Sequence, residues 1–106
     1  MSKWAAYENG KSIGKVSSEG GVILRDEEHP EGARITLKQG RDYVSVACNV
    51  YGWMDHTRFF GTVMEGQREY LNMKASMSDM MDIISESHSN SIKVWEAIAI
   101  FVRRFP

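Results

Sequence analysis

Asp55, His56 and Arg58 are the side chains in this sequence best suited to chemistry. They lie in the ten-residue stretch Tyr51-Gly52-Trp53-Met54-Asp55-His56-Thr57-Arg58-Phe59-Phe60, which also carries four aromatic rings. An imidazole that titrates near neutrality can move a proton or contact a ligand. A guanidinium is a forked donor that grips carboxylates and other anions. Large rings add rigid apolar surface. Tyr51, Trp53, His56 and Arg58 are therefore the candidate ligand- or partner-binding residues. Strand geometry limits what they can do together, because successive side chains alternate between faces. His56 and Arg58 share a face with Met54 and Phe60, whereas Asp55 shares the other with Trp53, Thr57 and Phe59. Asp55 and His56 thus point apart unless Gly52 introduces a bulge, and no catalytic dyad is ready-made. The bland alternative is that the charged members form a solvated strand face.

Other groups carry weaker signals. Asp26-Glu27-Glu28-His29 offers carboxylates and an imidazole, which are legitimate metal ligands. The run lacks the spacing of a metal signature, and His29-Pro30 reads as turn chemistry. Met64, Met73, Met77, Met80 and Met81 suit either an irregular core or an adaptable apolar groove, and their helical spacing favours core. Cys48 sits among valines, where a thiol is a small hydrophobe and not a nucleophile. Glu19-Gly20-Gly21 is too short for a phosphate loop and precedes no helix. No Ser-centred nucleophile elbow is present. No catalytic residue, no metal and no cofactor are expected.

Composition narrows the class. Thirteen basic and fourteen acidic residues among 106 leave a net charge of −1, and neither sign clusters. Phosphate neutralisation requires a basic stripe, so nucleic acid and membrane surfaces are not expected partners. One cysteine cannot form an internal disulfide. The N-terminal residues lack the apolar segment of a signal peptide, and the longest apolar run, Ala97 to Val102, is far short of a membrane span. A cytoplasmic protein follows.

The elements that must position these residues fall into two halves that change period near residue 61, within a single domain spanning residues 1–106. Asn9-Gly10 suits a hairpin turn, with positive φ at both positions, and would join Trp4–Glu8 to Lys11–Val16; Trp4–Tyr7 could instead be a short helix. Gly20-Gly21 opens a strand at Val22–Asp26, followed by an acidic loop, Glu27–Gly32. Ala33–Lys38 alternates Ala33, Ile35 and Leu37 with polar residues, and Tyr43–Tyr51 alternates Val44, Val46, Cys48 and Val50 with the rest. A turn at Gly52 leads to Trp53–Phe60. Short connections favour antiparallel neighbours.

Thr62-Val63-Met64-Glu65 matches a capping box. Tyr70, Met73, Met77, Met80, Met81 and Ile84 then draw one apolar stripe. Ser85–Ser89 reads as a break with candidate caps. Ile92, Trp95, Ile98, Ala99, Val102 and Phe105 draw a second stripe, widened by Val94 and Phe101. The expected fold is α+β: an antiparallel meander of about four to six strands, with two C-terminal helices packed on one sheet face. The expected core holds Ile35, Leu37, Val44, Val46, Val50, Met77, Met81, Trp95, Ile98 and Val102.

Function follows less directly. Balanced charge, small size and aromatic excess suit a soluble, non-enzymatic binding or interaction protein. The alternative is a small-molecule-binding domain or small enzyme with a pocket near Trp53, His56 and Arg58. The sheet face away from the helices would carry Tyr43, Ala47 and Tyr51, with Trp53 and Phe59 as further candidates, and aromatic enrichment marks protein contacts. A homodimer through that face or its edge strand is expected, with another protein or a small ligand as further partners.

Overall fold

Alternation alone fixes the centre of the sheet. In the computed structural model, which describes residues 3–87 and 90–106, strands β2 (Val22–His29), β3 (Ala33–Gln39), β4 (Val44–Val50) and β5 (Met54–Phe60) form an antiparallel meander. The register sets Ile35 against Cys48 and Cys48 against His56, and Leu37 against Val46 and Val46 against Arg58. One face therefore runs Ala33, Ile35, Leu37, Val44, Val46, Cys48 and Val50, all buried. Gly52, at φ +83°, lets Trp53 N–H close a turn on the Val50 carbonyl at 2.9 Å, a conformation L side chains resist.

One helix covers that face, and a second packs on the first and reaches β5 through Phe101 and Phe105. α1 (Val63–Ser87) starts at Thr62, whose hydroxyl accepts the Glu65 N–H at 3.1 Å, so the Thr half of the expected capping box is formed. Its stripe of Tyr70, Met73, Met77, Met80 and Met81 is buried, while Met64 is exposed. Gly66 brings α1 close to the sheet: a Cβ there would lie 2.5 Å from Val44 Cγ1. α2 (Ser91–Arg104) is capped by Asn90, whose side chain accepts the Lys93 N–H at 3.2 Å. Ser85, Glu86 and Ser87 remain helical and do not break the chain as expected; His88 and Ser89 lie outside the described residues. No described helix is long and apolar enough to cross a membrane.

Three expectations need correction. α2 buries Val94, Ala97, Ile98, Phe101 and the following Phe105, whereas Ile92 is 70% and Trp95 52% exposed and Val102 half-buried. Apolar residues cover more than half of this helix, and contact with α1 and β5 selects the side with the paired rings of Phe101 and Phe105, 5.1 Å apart. The acidic loop is the second half of β2: Glu27 pairs with Lys74 Nζ at 2.8 Å and accepts the Tyr70 hydroxyl at 2.6 Å, which lets a carboxylate occupy an inner strand position. The turn shrinks to Pro30-Glu31-Gly32.

Finally, Asn9-Gly10 closes no hairpin. Glu8 and Asn9 do adopt left-handed φ, 49° and 58°, within a 3-10 turn over Tyr7–Gly10. The preceding strand β1 (Ala5–Ala6) pairs with Glu28 and Glu27 of β2 instead. Residues 11–21 then return along the edge of β2, with Gly14 N–H on the Ile23 carbonyl and Ile23 N–H on the Lys15 carbonyl. Covering an edge in this way protects its unpaired backbone groups. Trp4 anchors the segment, its indole N–H donating to Ser78 Oγ of α1 at 2.8 Å.

Candidate functional site

The face of the sheet turned away from the helices is built from the alternate residues of the same strands. The pairing places Asp26 and Glu28 of β2 beside Arg34 and Thr36 of β3, then Ala47 and Asn49 of β4, then Asp55 and Thr57 of β5. A shift in pairing between Ile23 and Arg25 sets this phase in β2, as an extra bulge residue reverses alternation. It also divides the four candidates for a metal. Asp26 and Glu28 face outward, while Glu27 and His29 face the helices. Among the described residues, no group of three or more His, Cys, Asp and Glu side chains could hold a metal ion.

Asp26 organises the floor. Only 2% exposed, it accepts Arg34 Nε at 2.8 Å, Arg34 Nη2 at 2.7 Å, Ser12 Oγ at 2.7 Å and Thr36 Oγ1 at 3.0 Å. A buried carboxylate demands such saturation. The Asp26 hydrogen bonds raise the Arg34 guanidinium further above its ordinary range, and that cation lies 3.6 Å over the Tyr7 ring. Ser12 and Tyr7 therefore tie the N-terminal segment down onto the sheet. Between that segment and β4–β5 lies a cleft of about 1000 Å³, lined by Tyr7, Lys15, Lys38, Asn49, Tyr51 and Trp53 among others.

The cleft walls carry both signs of charge and two kinds of ring. Lys38 Nζ reaches Ser17 Oγ at 3.5 Å and Glu19 at 3.8 Å, and Asn49 Nδ2 donates to Asp55 Oδ1. The Tyr51 hydroxyl donates to Glu28 at 2.8 Å; burial, then this carboxylate, push its pKa up to about 12. Tyr51 is a neutral donor and stacking surface at any physiological pH.

The structure divides the four sequence-predicted site residues. Tyr51 and Trp53 line the cleft. His56 and Arg58 project to the opposite face, beneath the end of α2. His56 Nε2 hydrogen bonds with the main-chain oxygen of Phe105, and its ring stands edge-on to Phe101 at 6.3 Å. Arg58 Nη1 donates to Glu69 Oε1 at 2.8 Å and Nε to the main-chain oxygen of Pro106 at 3.3 Å, with its guanidinium 5.1 Å from Phe60 and 5.5 Å from Phe105. The Arg58 hydrogen bond holds the Glu69 carboxyl below its usual range. Cys48 is fully buried beside them, and burial pushes its thiol up to about 12 against the pull of Arg58; it supplies no thiolate at neutral pH.

Sequence reasoning passed over Tyr7, Ser12, Arg34 and Lys38. Arg34, Thr36 and Lys38 were visible as the polar phase of β3, but only the register shows that Asp26 lies opposite them. The homodimer contact is expected on this same face of the sheet. The N-terminal segment lies over its β2–β3 side, and Asn49, Asp55 and Thr57 make the remainder polar around Phe59. Compared with protein-family models, curated proteins and solved structures, the chain matches none.

Proposed function

We propose that this chain is a non-enzymatic binding protein of the cytoplasm that takes a small polar ligand in the outer-face cleft. The observation that carries the proposal is the cleft itself, about 1000 Å³ on a sheet face that no helix covers. Ligand sites combine a concave shape with a few placed polar groups and apolar walls. Here Asn49, Lys38 and Thr57 supply hydrogen bonds, and Tyr51 and Trp53 supply ring surface. Cations and carboxylates line the same space, so a neutral or zwitterionic molecule with one flat or apolar side fits better than a polyanion. The buried Asp26–Arg34 pair presets the floor, which limits the ordering that binding would otherwise require. Lys38 meets Ser17 and Glu19, and Asp55 meets Asn49, contacts that hold the walls of a recognition site in place. His56 and Arg58 act at a distance, by holding α2 in place.

Saturation-transfer NMR against separate panels of amino acids, monosaccharides, nucleosides and dicarboxylates tests this. At least one panel is expected to show transfer that Tyr51→Ala and Asn49→Ala both abolish, with amide shifts confined to β3, β4, β5, the turn that joins β4 to β5 and residues 7–19. Transfer from no panel would refute the proposal, as would shifts that map to α1 or α2.

A further inference from the structure

Helix α2 is apolar on two sides, and the chain buries only one. About a third of a turn from Val94, Ala97, Ile98 and Phe101, a second side carries Ile92 and Trp95, 70% and 52% accessible, with exposed Ala99 and half-buried Val102; Trp95 meets Trp53 edge-on at 5.1 Å and Val102 packs against the core. These four recur at spacings of three, four and three, the repeat of a two-helix seam. A soluble domain seldom leaves such a row open without a partner. Alongside it stand Glu96 and Arg103, exposed, opposite in sign and two turns apart. Among the described residues neither has an ion-pair partner.

We propose that this side of α2 docks on the same side of a second copy of the chain, the two helices antiparallel about a two-fold axis near Ala99. At a rise of about 1.5 Å per residue, that axis brings Trp95 within one residue of the level of Val102 of the second copy, and Glu96 within one residue of the level of Arg103 of the second copy. Symmetry repeats each contact. Ala99 meets Ala99 of the second copy, and two small side chains let the helix axes approach. A parallel pairing would set Glu96 beside Ser91 and Arg103 beside Ile98 of the second copy and leave both charges unpaired, so the charges select the antiparallel arrangement. Two fourteen-residue helices bury less than the roughly 800 Å² per partner of a standard stable interface, so the dimer is a reversible one. The Trp95 ring meets Trp53 of the cleft wall edge-on at 5.1 Å, so this side of α2 borders the ligand cleft, and the charge reversals at Glu96 and Arg103, which do not line the cleft, separate association from ligand binding.

Sedimentation velocity of the full chain from low to high micromolar concentration tests it. Wild type is expected to move from monomer to dimer across that range. Glu96→Arg alone and Arg103→Glu alone should each weaken association by about tenfold, since each reversal replaces two attractive contacts with two repulsive ones. The double variant Glu96→Arg, Arg103→Glu should restore wild-type association, a rescue that general destabilisation cannot produce. Trp95→Ala should weaken association with the far-UV spectrum unchanged. A chain that stays monomeric throughout overturns the proposal. So does a dimer indifferent to both charge reversals, or one broken instead by Phe59→Asp on the sheet's outer face.

Discussion

Replacing Asp26 by Asn tests whether one buried carboxylate holds the N-terminal segment, and with it the cleft, onto the sheet. The substitution keeps the side chain's shape and removes its charge. Wild-type Asp26 accepts four hydrogen bonds, two from Arg34 and one each from Ser12 and Thr36. An Asn has one acceptor oxygen, and its amide nitrogen turns a donor toward an Arg34 N–H, which cannot accept. The Arg34 guanidinium stays charged, with its side chain 28% exposed and its counter-charge gone. Breaking a buried pair by removing one partner costs about 3–5 kcal/mol, and the partial exposure of Arg34 places this case near 3 kcal/mol. For a chain of this length that is a fall of roughly 10–20 °C in Tm.

Urea titration at neutral pH measures the loss, with an unchanged slope showing that the midpoint reports stability alone. Amide exchange should accelerate first at Gly14 and Ile23, which bond the segment to the edge of β2. Asp26→Leu combined with Arg34→Met should recover part of the loss, because an apolar pair leaves no uncompensated charge. A loss below about 1 kcal/mol for Asp26→Asn would refute the reasoning. Strict additivity of the two single variants would refute it too, since contacting residues must couple.

His56→Ala with Arg58→Ala is expected to lower stability by about 2 kcal/mol through the lost charge-assisted bond to Glu69; an unchanged midpoint would show that the pair is not structural. Trp95→Ala is expected to cost about 1 kcal/mol in dilute solution, not the 3–5 kcal/mol of a buried Trp, because half of the side chain is in water; calorimetry decides between them. Acid should act in two steps. Burial and then Lys3 hold His29 below its ordinary 6.5, and its Nδ1 accepts the Glu31 N–H at 3.1 Å, so stability is complete above about pH 6.5 and declines as pH falls through the folded value. Burial raises Glu27, but hydrogen bonds from Lys74 and Tyr70 outweigh it and leave the group below 4.5; its contribution persists above that pH and is lost below it. His29→Gln should erase the upper step alone in a pH series of urea midpoints.

How far the sequence reached depends on whether a segment's partners are near or far in the chain. β3 and β4 were legible because Ile35, Leu37, Val44, Val46 and Cys48 obey a period of two against one continuous core. The four buried methionines of α1 obey its helical period equally well. The second half of β2 defied reading because Glu27 becomes acceptable in a strand only through Tyr70 and Lys74, more than forty positions away. α2 defied it for another reason. Two apolar rows share one helix, and nothing local ranks the Phe101–Phe105 row above the Ile92–Trp95 row.

The site divides along the same line. The aromatic density that singled out Tyr51 and Trp53 is a local signal, and both residues line the cleft. His56 and Arg58 were assigned to the right face of β5, beside Met54 and Phe60, but what covers that face is the end of a helix some fifty residues later. A helix C-terminus carries partial negative charge on carbonyls that lack partners within the helix. His56 reaches the main-chain oxygen of Phe105, and Arg58 that of Pro106, while Arg58 also binds Glu69 of α1. The same donors that made the pair look like an anion-binding site serve here to cap α2 from outside. Donor chemistry was therefore legible in the sequence, and its acceptor was not, because the acceptor is backbone and backbone carries no sequence signal.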